Sequence, residues 1–294
     1  MPPISPALLK EIRQKWKPRN LRSHKGDFGR VFVMAGSEGY TGAARLAGMG
    51  AMRSGAGLVT VGVPRAVYPI VASGEWEVMV KPFASTPEGA FSYNAAKPLL
   101  NFLKTQDVFA LGPGLSRQPG TQRLIRRLIA QCPLPMVVDA DALNALEDNA
   151  KLLKACSGRA VLTPHPGEFG RVFGSVPSSS AKERLKMAAE AARKYGVIIL
   201  LKGNRTVVAS PDGRTFVNMT GNPGMATGGT GDILTGMIAA LAGQRLSLYD
   251  AARFAVYFHG LAGDLALLKK GEAGLIATDL LDFLPSAFLR ILKR

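Results

Sequence analysis

The residues with the clearest chemical potential lie in NPGMATGGTGDILTG, residues 222–236. One carboxylate, Asp232, stands there where a glycine-rich loop runs into an apolar, helix-forming stretch. A helix start leaves backbone N–H groups unpaired and carries partial positive charge. Gly228, Gly229 and Gly231, with Thr230 among them, let such amides approach a phosphate closely. A loop of this kind can stabilise the charge on a transferring phosphoryl group, and Asp232 beside it can take the proton of an attacking hydroxyl. The plain alternative is an acidic residue favoured by the dipole at a helix entry, and the local sequence leaves the two readings level. The stretch is not a Walker loop, because no GxxxxGK[ST] occurs and Asp follows the final Gly.

Five further clusters bear polar or small residues. LLKGNRT (200–206) offers Lys202 and Arg205 to phosphates, with Gly203 permitting a close turn beside Asn204 and Thr206; a solvated strand–hairpin junction is the alternative. TPHPGEF (163–169) brackets His165 with two prolines, a stiff loop presenting His165 and Glu168 to a polar ligand or holding the histidine for structure. LGPGL (111–115) brings the amides near Gly112 and Gly114 toward a ligand or makes a tight strand–helix turn. In VVDADALNAL (137–146), Asp139 and Asp141 sit two apart; one can order magnesium-bound water while the other caps the next helix, and Asn144 can contact substrate. HKGDFGRVFVMAGSEGYTGAARLAG (24–48) opens a helix at YTGAA, where Ala43 and Ala44 are too small to obstruct a ring; close helix–strand packing is the alternative. Of the three histidines, His259 reads as packed between helices.

The elements that must position these clusters alternate. Strands are expected at 30–37, 57–64, 77–83, 107–115, in the 135–146 and 159–173 stretches, and at 197–201, followed by a hairpin turning at Pro211-Asp212-Gly213. Helices are expected over 6–16, 42–56, 94–104, 120–132 and 181–196, and near 230–243, 248–270 and 277–292. Continuous apolar strands such as VFVMA and VIILL imply burial on both faces. The pattern predicts an α/β/α three-layer sandwich with a mainly parallel central sheet, one domain over 1–294 with residues 1–24 as an N-terminal extension. In such sheets ligands bind beyond the carboxyl ends of the strands, which is where all six clusters fall.

Bulk properties narrow the classes. The net charge of +16 favours anionic partners. It is dispersed, and no basic stripe is interleaved with aromatics, so nucleic acid is not the expected partner. The two cysteines, Cys132 and Cys156, have no metal spacing and fit a reducing cytoplasm. No secretory signal or membrane-spanning run is read.

Taken in order, HKGDFGRVFVMAGS, YTGAARLAGMGAMRSGAGLVT, LGPGL, VVDADALNAL, LTPHPGEF, LLKGNRTVV and NPGMATGGTGDILTGMIAALAGQ resemble the ADP-dependent (S)-NAD(P)H-hydrate dehydratases, which have a ribokinase-like fold. The resemblance runs from about Ser23 to Leu284. It implies conversion of (6S)-NADHX or NADPHX to NADH or NADPH, coupled to cleavage of ADP (or ATP) with Mg²⁺. It also implies Asp232 as catalytic base, Gly228–Gly231 as anion hole, Lys202–Thr206 with Gly231 around AMP, and Ala43, Gly114, His165 and Asp232 around the hydrated dinucleotide. It implies a homotetramer, with the epimerase on another chain because only about 24 residues precede the first motif. The rival readings are a ribokinase-like kinase of vitamin precursors, which would share GGTGD, and a basic nucleotide- or RNA-binding module, which would not need Asp232.

Overall fold

The computed structural model describes residues 5–16, 19–74 and 77–292. Residues 1–4, 17 and 18 of the expected N-terminal extension lie outside them, as do 75–76, between the second and third strands, and 293–294. Strands β1 (Arg30–Met34), β2 (Leu58–Pro64), β3 (Met79–Phe83), β4 (Val108–Leu111), β5 (Met136–Val138), β6 (Ala160–Leu162), β7 (Ile198–Leu201), β8 (Val207–Ala209) and β9 (Thr215–Val217) form one sheet in the order β3-β2-β1-β4-β5-β6-β7-β8-β9. Pairing is parallel from β3 across to β7 and antiparallel for β8 and β9. From β1 the chain winds to one side for β2 and β3, then returns to lay β4–β7 on the other. The point where the winding reverses is the β1/β4 boundary, where the strand ends leave a crevice.

The helices are α1 (Pro6–Lys15), α2 (Thr41–Arg53), α3 (Tyr68–Ala72), α4 (Ala96–Leu103), α5 (Pro119–Gln131), α6 (Ala140–Asn144), α7 (Pro166–Phe173), α8 (Ala181–Tyr195), α9 (Thr230–Gly243), α10 (Leu248–Lys270) and α11 (Ala277–Leu292). Alternate strand residues point to opposite faces, and the core divides accordingly. Val31, Val33, Val59, Val61 and Ala110 pack beneath α2, α9, α10 and α11. Phe32, Met34, Phe109, Leu111 and Val138 pack beneath α4, α5 and α8. Three layers result, as the uninterrupted apolar strands require. Among the described residues no helix is long and apolar enough to cross a membrane.

The expected elements are present with shifted ends. The third strand starts at Met79 instead of residue 77, and the 94–104 helix is a short 3-10 turn at Tyr93–Ala95 leading into α4. The five-residue α3 and the 3-10 segment Ala150–Cys156 were not expected; each is too short to show a helical period. The small residues of α2 and α9 serve contact. A side chain at Gly50 would overlap the Ile233 carbonyl, and one at Gly236 would overlap the Ala47 carbonyl, so the two backbones touch. That contact brings the α9 start beside α2 and the β1/β4 crevice.

Candidate active site

The carboxyl ends of β5, β6 and β7 deliver a buried charge network to the start of α9. Asp139, 1% exposed, follows β5. Its Oδ1 accepts from Lys202 Nζ at 2.8 Å, and its Oδ2 accepts from Thr235 Oγ1 at 2.7 Å. Thr235 lies on α9 three residues after Asp232, so Asp139 ties the helix bearing the candidate base to the lysine that ends β7. Burial works against the Asp139 carboxylate, but Lys202 and the hydrogen bonds hold it below the usual range. Burial likewise opposes the Lys202 ammonium, and the charges of Asp139 and Glu168 hold it above its ordinary value. Glu168 Oε2 is 3.8 Å from Lys202 Nζ. Further from the sheet, the Lys202 N–H donates to the Pro164 carbonyl, fastening the strand end to the TPHP loop.

Asp232 occupies the first turn of α9. Burial, then the neighbouring Asp139 charge, push its carboxyl up to about 7, with Lys202 pulling the other way and Asp141 adding to the rise. A carboxylate with that proton affinity is matched to taking a proton near neutral pH. The helix start in front of it is bare of side chains: the cap position is Gly229, left-handed at φ +93°, and no side chain caps it. The Thr230 hydroxyl donates to the Met225 and Thr227 carbonyls, closing the preceding loop beneath the turn. His259 Nε2 donates to the Thr230 carbonyl at 2.8 Å from α10. Burial pulls the His259 imidazole down to about 4, so it is neutral at neutral pH. The packing expectation for His259 therefore holds in part: it is buried, and it also pins the glycine turn.

A cavity of about 680 Å³ opens beside this turn, lined by Lys202–Thr206, Thr230, Gly231, His165 and His259, with Leu234, Pro223, Met225 and Val256 giving it an apolar side. It is large enough for a nucleotide-sized ligand. Lys202, Gly203, Asn204, Arg205, Thr206, Gly231 and His165 thus share one cavity wall. Asp264, buried on α10, accepts from Gly221 N and Asn222 Nδ2 and fixes the opposite rim.

Ala43 and Gly114 meet at the β1/β4 crevice, where a Cβ on Gly114 would lie 3.1 Å from the Ala43 Cβ. The Gly114 carbonyl accepts from Ser37 Oγ. Other candidate residues are engaged within the protein itself. Gly112, at φ +136°, is where a side chain would overlap the Asp139 carbonyl, and its amide donates to Met34, so close strand approach explains it. Neither aspartate caps α6 through its side chain: Asp139 sits at the cap position but faces Lys202 and Thr235, while Asp141 Oδ2 accepts the Ser116 N–H. Both Asp139 oxygens are engaged, Oδ1 by Lys202 and Oδ2 by Thr235. Asn144 braces α6 to α7, donating to Asp141 and accepting from Arg171 Nε. His165 and Glu168 form a capping box on α7: His165 Nδ1 accepts from the Gly167 and Glu168 amides, and Glu168 Oε2 accepts from the His165 amide.

Thr235, Asp264 and Arg184, whose guanidinium donates to the Asn204 and Arg205 carbonyls, escaped the sequence reading, as did the contact of His259 with Thr230. Each acts through a partner more than fifteen residues away, and nothing local to any of them signals it.

A mainly parallel sheet wound both ways from its first strand, with an uncapped glycine helix start facing a carboxylate of raised proton affinity, is an architecture for phosphoryl chemistry. Comparisons with known proteins narrow it. A family profile described as NAD(P)H-hydrate dehydratase matches residues 31–286. A Bacillus subtilis protein named ADP-dependent (S)-NAD(P)H-hydrate dehydratase is 37% identical over 95% of this chain and 96% of its own length. The crystal structure of an ADP/ATP-dependent NAD(P)H-hydrate dehydratase from the same organism, co-crystallised with ATP/Mg²⁺, superposes with TM-score 0.80 at 33% identity, covering 96% of this chain and 97% of that one. A ribokinase-like superfamily protein from Enterococcus faecalis superposes with TM-score 0.81 at 28% identity, covering 99% and 96%. A Moorella thermoacetica bifunctional NAD(P)H-hydrate repair enzyme is 49% identical over 93% of this chain, which spans about half, 52%, of that relative's length. The fold is ribokinase-like, and the chain belongs to the NAD(P)H-hydrate dehydratase family.

Proposed function

We propose that the protein dehydrates (6S)-NADHX and NADPHX to NADH and NADPH while ADP, or ATP, is cleaved. The observation that carries this is an uncapped glycine helix start whose Thr230 and Gly231 line a nucleotide-sized cavity, followed directly by Asp232, whose carboxyl is pushed up to about 7. The hydrate's C6 hydroxyl attacks the terminal phosphorus of ADP, and the bond from that phosphorus to the AMP oxygen breaks. Asp232 receives the hydroxyl proton, and the amides around Gly228–Gly231 hold the transferring group. The ring then expels phosphate from C6 and loses a ring C–H proton, restoring the dihydropyridine. Products are AMP, phosphate and the reduced dinucleotide.

In this reading Lys202–Thr206 and Gly231 hold the AMP portion, and Ala43, Gly114 and His165 contact the dinucleotide. A magnesium ion supplies charge neutralisation on the nucleotide phosphates when bound. Among the described residues no group of three or more His, Cys, Asp or Glu side chains is placed to hold a metal. The residues therefore fit an ion carried on phosphates and water, as magnesium commonly is, and not a protein cage. Resemblance further supports one dehydratase domain, a cytoplasmic homotetramer, and an epimerase that supplies the S epimer.

The test incubates the protein with NADHX, Mg²⁺ and either ADP or ATP. Regeneration of NADH absorbance with equal release of AMP and phosphate from ADP is expected. Silence with both nucleotides sinks the reading, and phosphorylation of a vitamin precursor in its place would favour the kinase alternative.

A further inference from the structure

Arg184 lies on α8, well outside the network around Asp232, and is 4% exposed. Its neighbours on the buried face of that helix are Ala188, Ala191 and Ala192, residues small enough to seat α8 against the sheet. A guanidinium is out of keeping with that stripe. Arg184 makes no salt bridge among the described residues, although a buried cation ordinarily has an anionic partner. Its Nη2 donates to the carbonyls of Asn204 and Arg205, the latter at 3.3 Å, and its Nη1 sits against Gly203. Nε is buried with no hydrogen-bond partner. Burial lowers the proton affinity of the guanidinium, but an arginine stays charged.

The three residues it touches line the cavity, and their backbone is unusual. Gly203 has φ +141° and Arg205, a non-glycine, has φ +55°. Two carbonyls in succession are turned onto one guanidinium nitrogen, Nη2, and the residues that carry them line the cavity. The charge has no carboxylate partner among the described residues, and it lies behind the loop that holds the AMP portion in the proposed reaction.

We propose that Arg184 is a positioning residue for the nucleotide, fixing the Gly203–Thr206 loop from behind and adding a buried positive charge beneath it. The inference rests on the reading of this cavity as the nucleotide site. It assigns Arg184 an effect on nucleotide affinity and none on the chemical step.

The experiment measures ADP binding by calorimetry, steady-state kinetics and hydrogen exchange of the unliganded protein for wild type, Arg184→Met, Arg184→Lys and Lys182→Met. Met keeps most of the buried stem, and Lys182 is an exposed cation on the same helix. Losing charged hydrogen bonds of this kind weakens binding by roughly 10- to 100-fold. R184M should show that loss in ADP affinity and in KM for ADP, with kcat at saturating ADP within about twofold of wild type by the same reasoning. Loop amides 203–206 should exchange faster while those of β7 keep their protection. R184K should fall between wild type and R184M, and it carries the test if R184M does not fold. K182M should match wild type. Unchanged ADP affinity and loop exchange in R184M and R184K would overturn the proposal, as would a fall in kcat with KM intact, or an equal loss in K182M. Wild type that binds ADP but leaves NADHX untouched would overturn the proposed reaction, leaving the affinity shift to judge Arg184. Wild type that binds neither ADP nor ATP would overturn the nucleotide-site reading and the nucleotide role of Arg184 with it.

Discussion

Two helices begin side by side at the same edge of the sheet, and they finish their starts in opposite ways. The start of α7 is closed by its own side chains: His165 Nδ1 takes the Gly167 and Glu168 amides, and Glu168 takes the His165 amide in return. The start of α9 has a glycine at the cap and no side chain on its amides. Lys202 stands between them, 3.8 Å from Glu168 and 3.6 Å from where a Cβ on Gly231 would lie. A helix that must only be stable satisfies its orphan donors internally. One that leaves them open forgoes that stabilisation and keeps a place for an anion. Asp232 sharpens the contrast, because a half-buried carboxyl pushed up to about 7 is itself unfavourable when ionised.

The largest test of the contrast is Asp232→Asn. Loss of the base should lower kcat by roughly 10²- to 10⁴-fold while ADP affinity, read by calorimetry, persists. In the wild type kcat/KM should rise with pH through about 7 and then level off, since only the ionised form accepts the proton. Stability should move the other way. The folded-state value lies above the ordinary 3.8, so the folded protein holds this proton more tightly than the unfolded chain does. That contribution is full below 3.8 and is lost as pH rises through about 7. D232N removes the cost of the buried charge, at most about 4 kcal/mol and less after allowing for its partial contact with water. The Tm of D232N should therefore exceed wild type at pH 8 and converge on it near pH 4. An active D232N, or a Tm difference independent of pH, would dissolve the contrast between the two helix starts.

Next come two glycines of the open start. A Cβ on Gly231 meets only the Lys202 ammonium at ordinary contact distance, whereas one on Gly229 overlaps the Leu46 side chain and must be held at φ +93°. Gly231→Ala should leave Tm unchanged and lower turnover by about 10- to 100-fold through crowding of the anion's approach. Gly229→Ala should cost about 1–3 kcal/mol in urea unfolding. Equal stability losses in both variants would mean that Gly231 serves packing alone.

These contrasts also mark what the sequence discloses. The glycines before an acid at a helix entry, the apolar β1 and β7, and the hairpin at Gly213 (φ +92°) are local patterns, and local patterns read directly. The carboxyl-edge clustering followed from strand–helix alternation. Partnerships across the chain did not. Asp141 as a cap was a reasonable local expectation, overturned because Ser116, 25 residues earlier, offers its amide. His259 looked like packing because its target, the Thr230 carbonyl, lies 29 residues away. Arg184 sits in an alanine-rich helix face whose period says only that it is buried.

The closed start yields a smaller prediction with a sharper edge. His165 has two available roles, as cap through Nδ1 and as dinucleotide contact through its exposed ring. Removing a cap typically costs about 0.5–2 kcal/mol, so His165→Ala should lower Tm by that equivalent, and His165→Asn, able to accept the same amides, should restore it. If the cap is the whole role, H165N turns over like wild type. A KM for NADHX raised in both variants, with Tm restored only in H165N, separates the contact from the cap.

The smallest effect comes from a repeat of the same motif. HKGD at 24–27 and HPGE at 165–168 share histidine, glycine and acid at equal spacing, and both fold as capping boxes. His24 Nδ1 accepts from the Gly26 amide at 3.1 Å, and Asp27 Oδ2 accepts from the His24 amide at 2.9 Å. The turn they close is a four-residue 3-10 helix, and the His24 side chain is 75% exposed. This box packs against the start of β2, since a Cβ on Gly57 would overlap the Lys25 carbonyl, and no cavity residue adjoins it. His24→Ala should cost less than about 1 kcal/mol and leave kcat and both KM values unchanged. It is the motif with the chemistry taken away, so any catalytic loss in H165A beyond that in H24A belongs to the position of His165 beside Lys202 and α9, and not to the capping box.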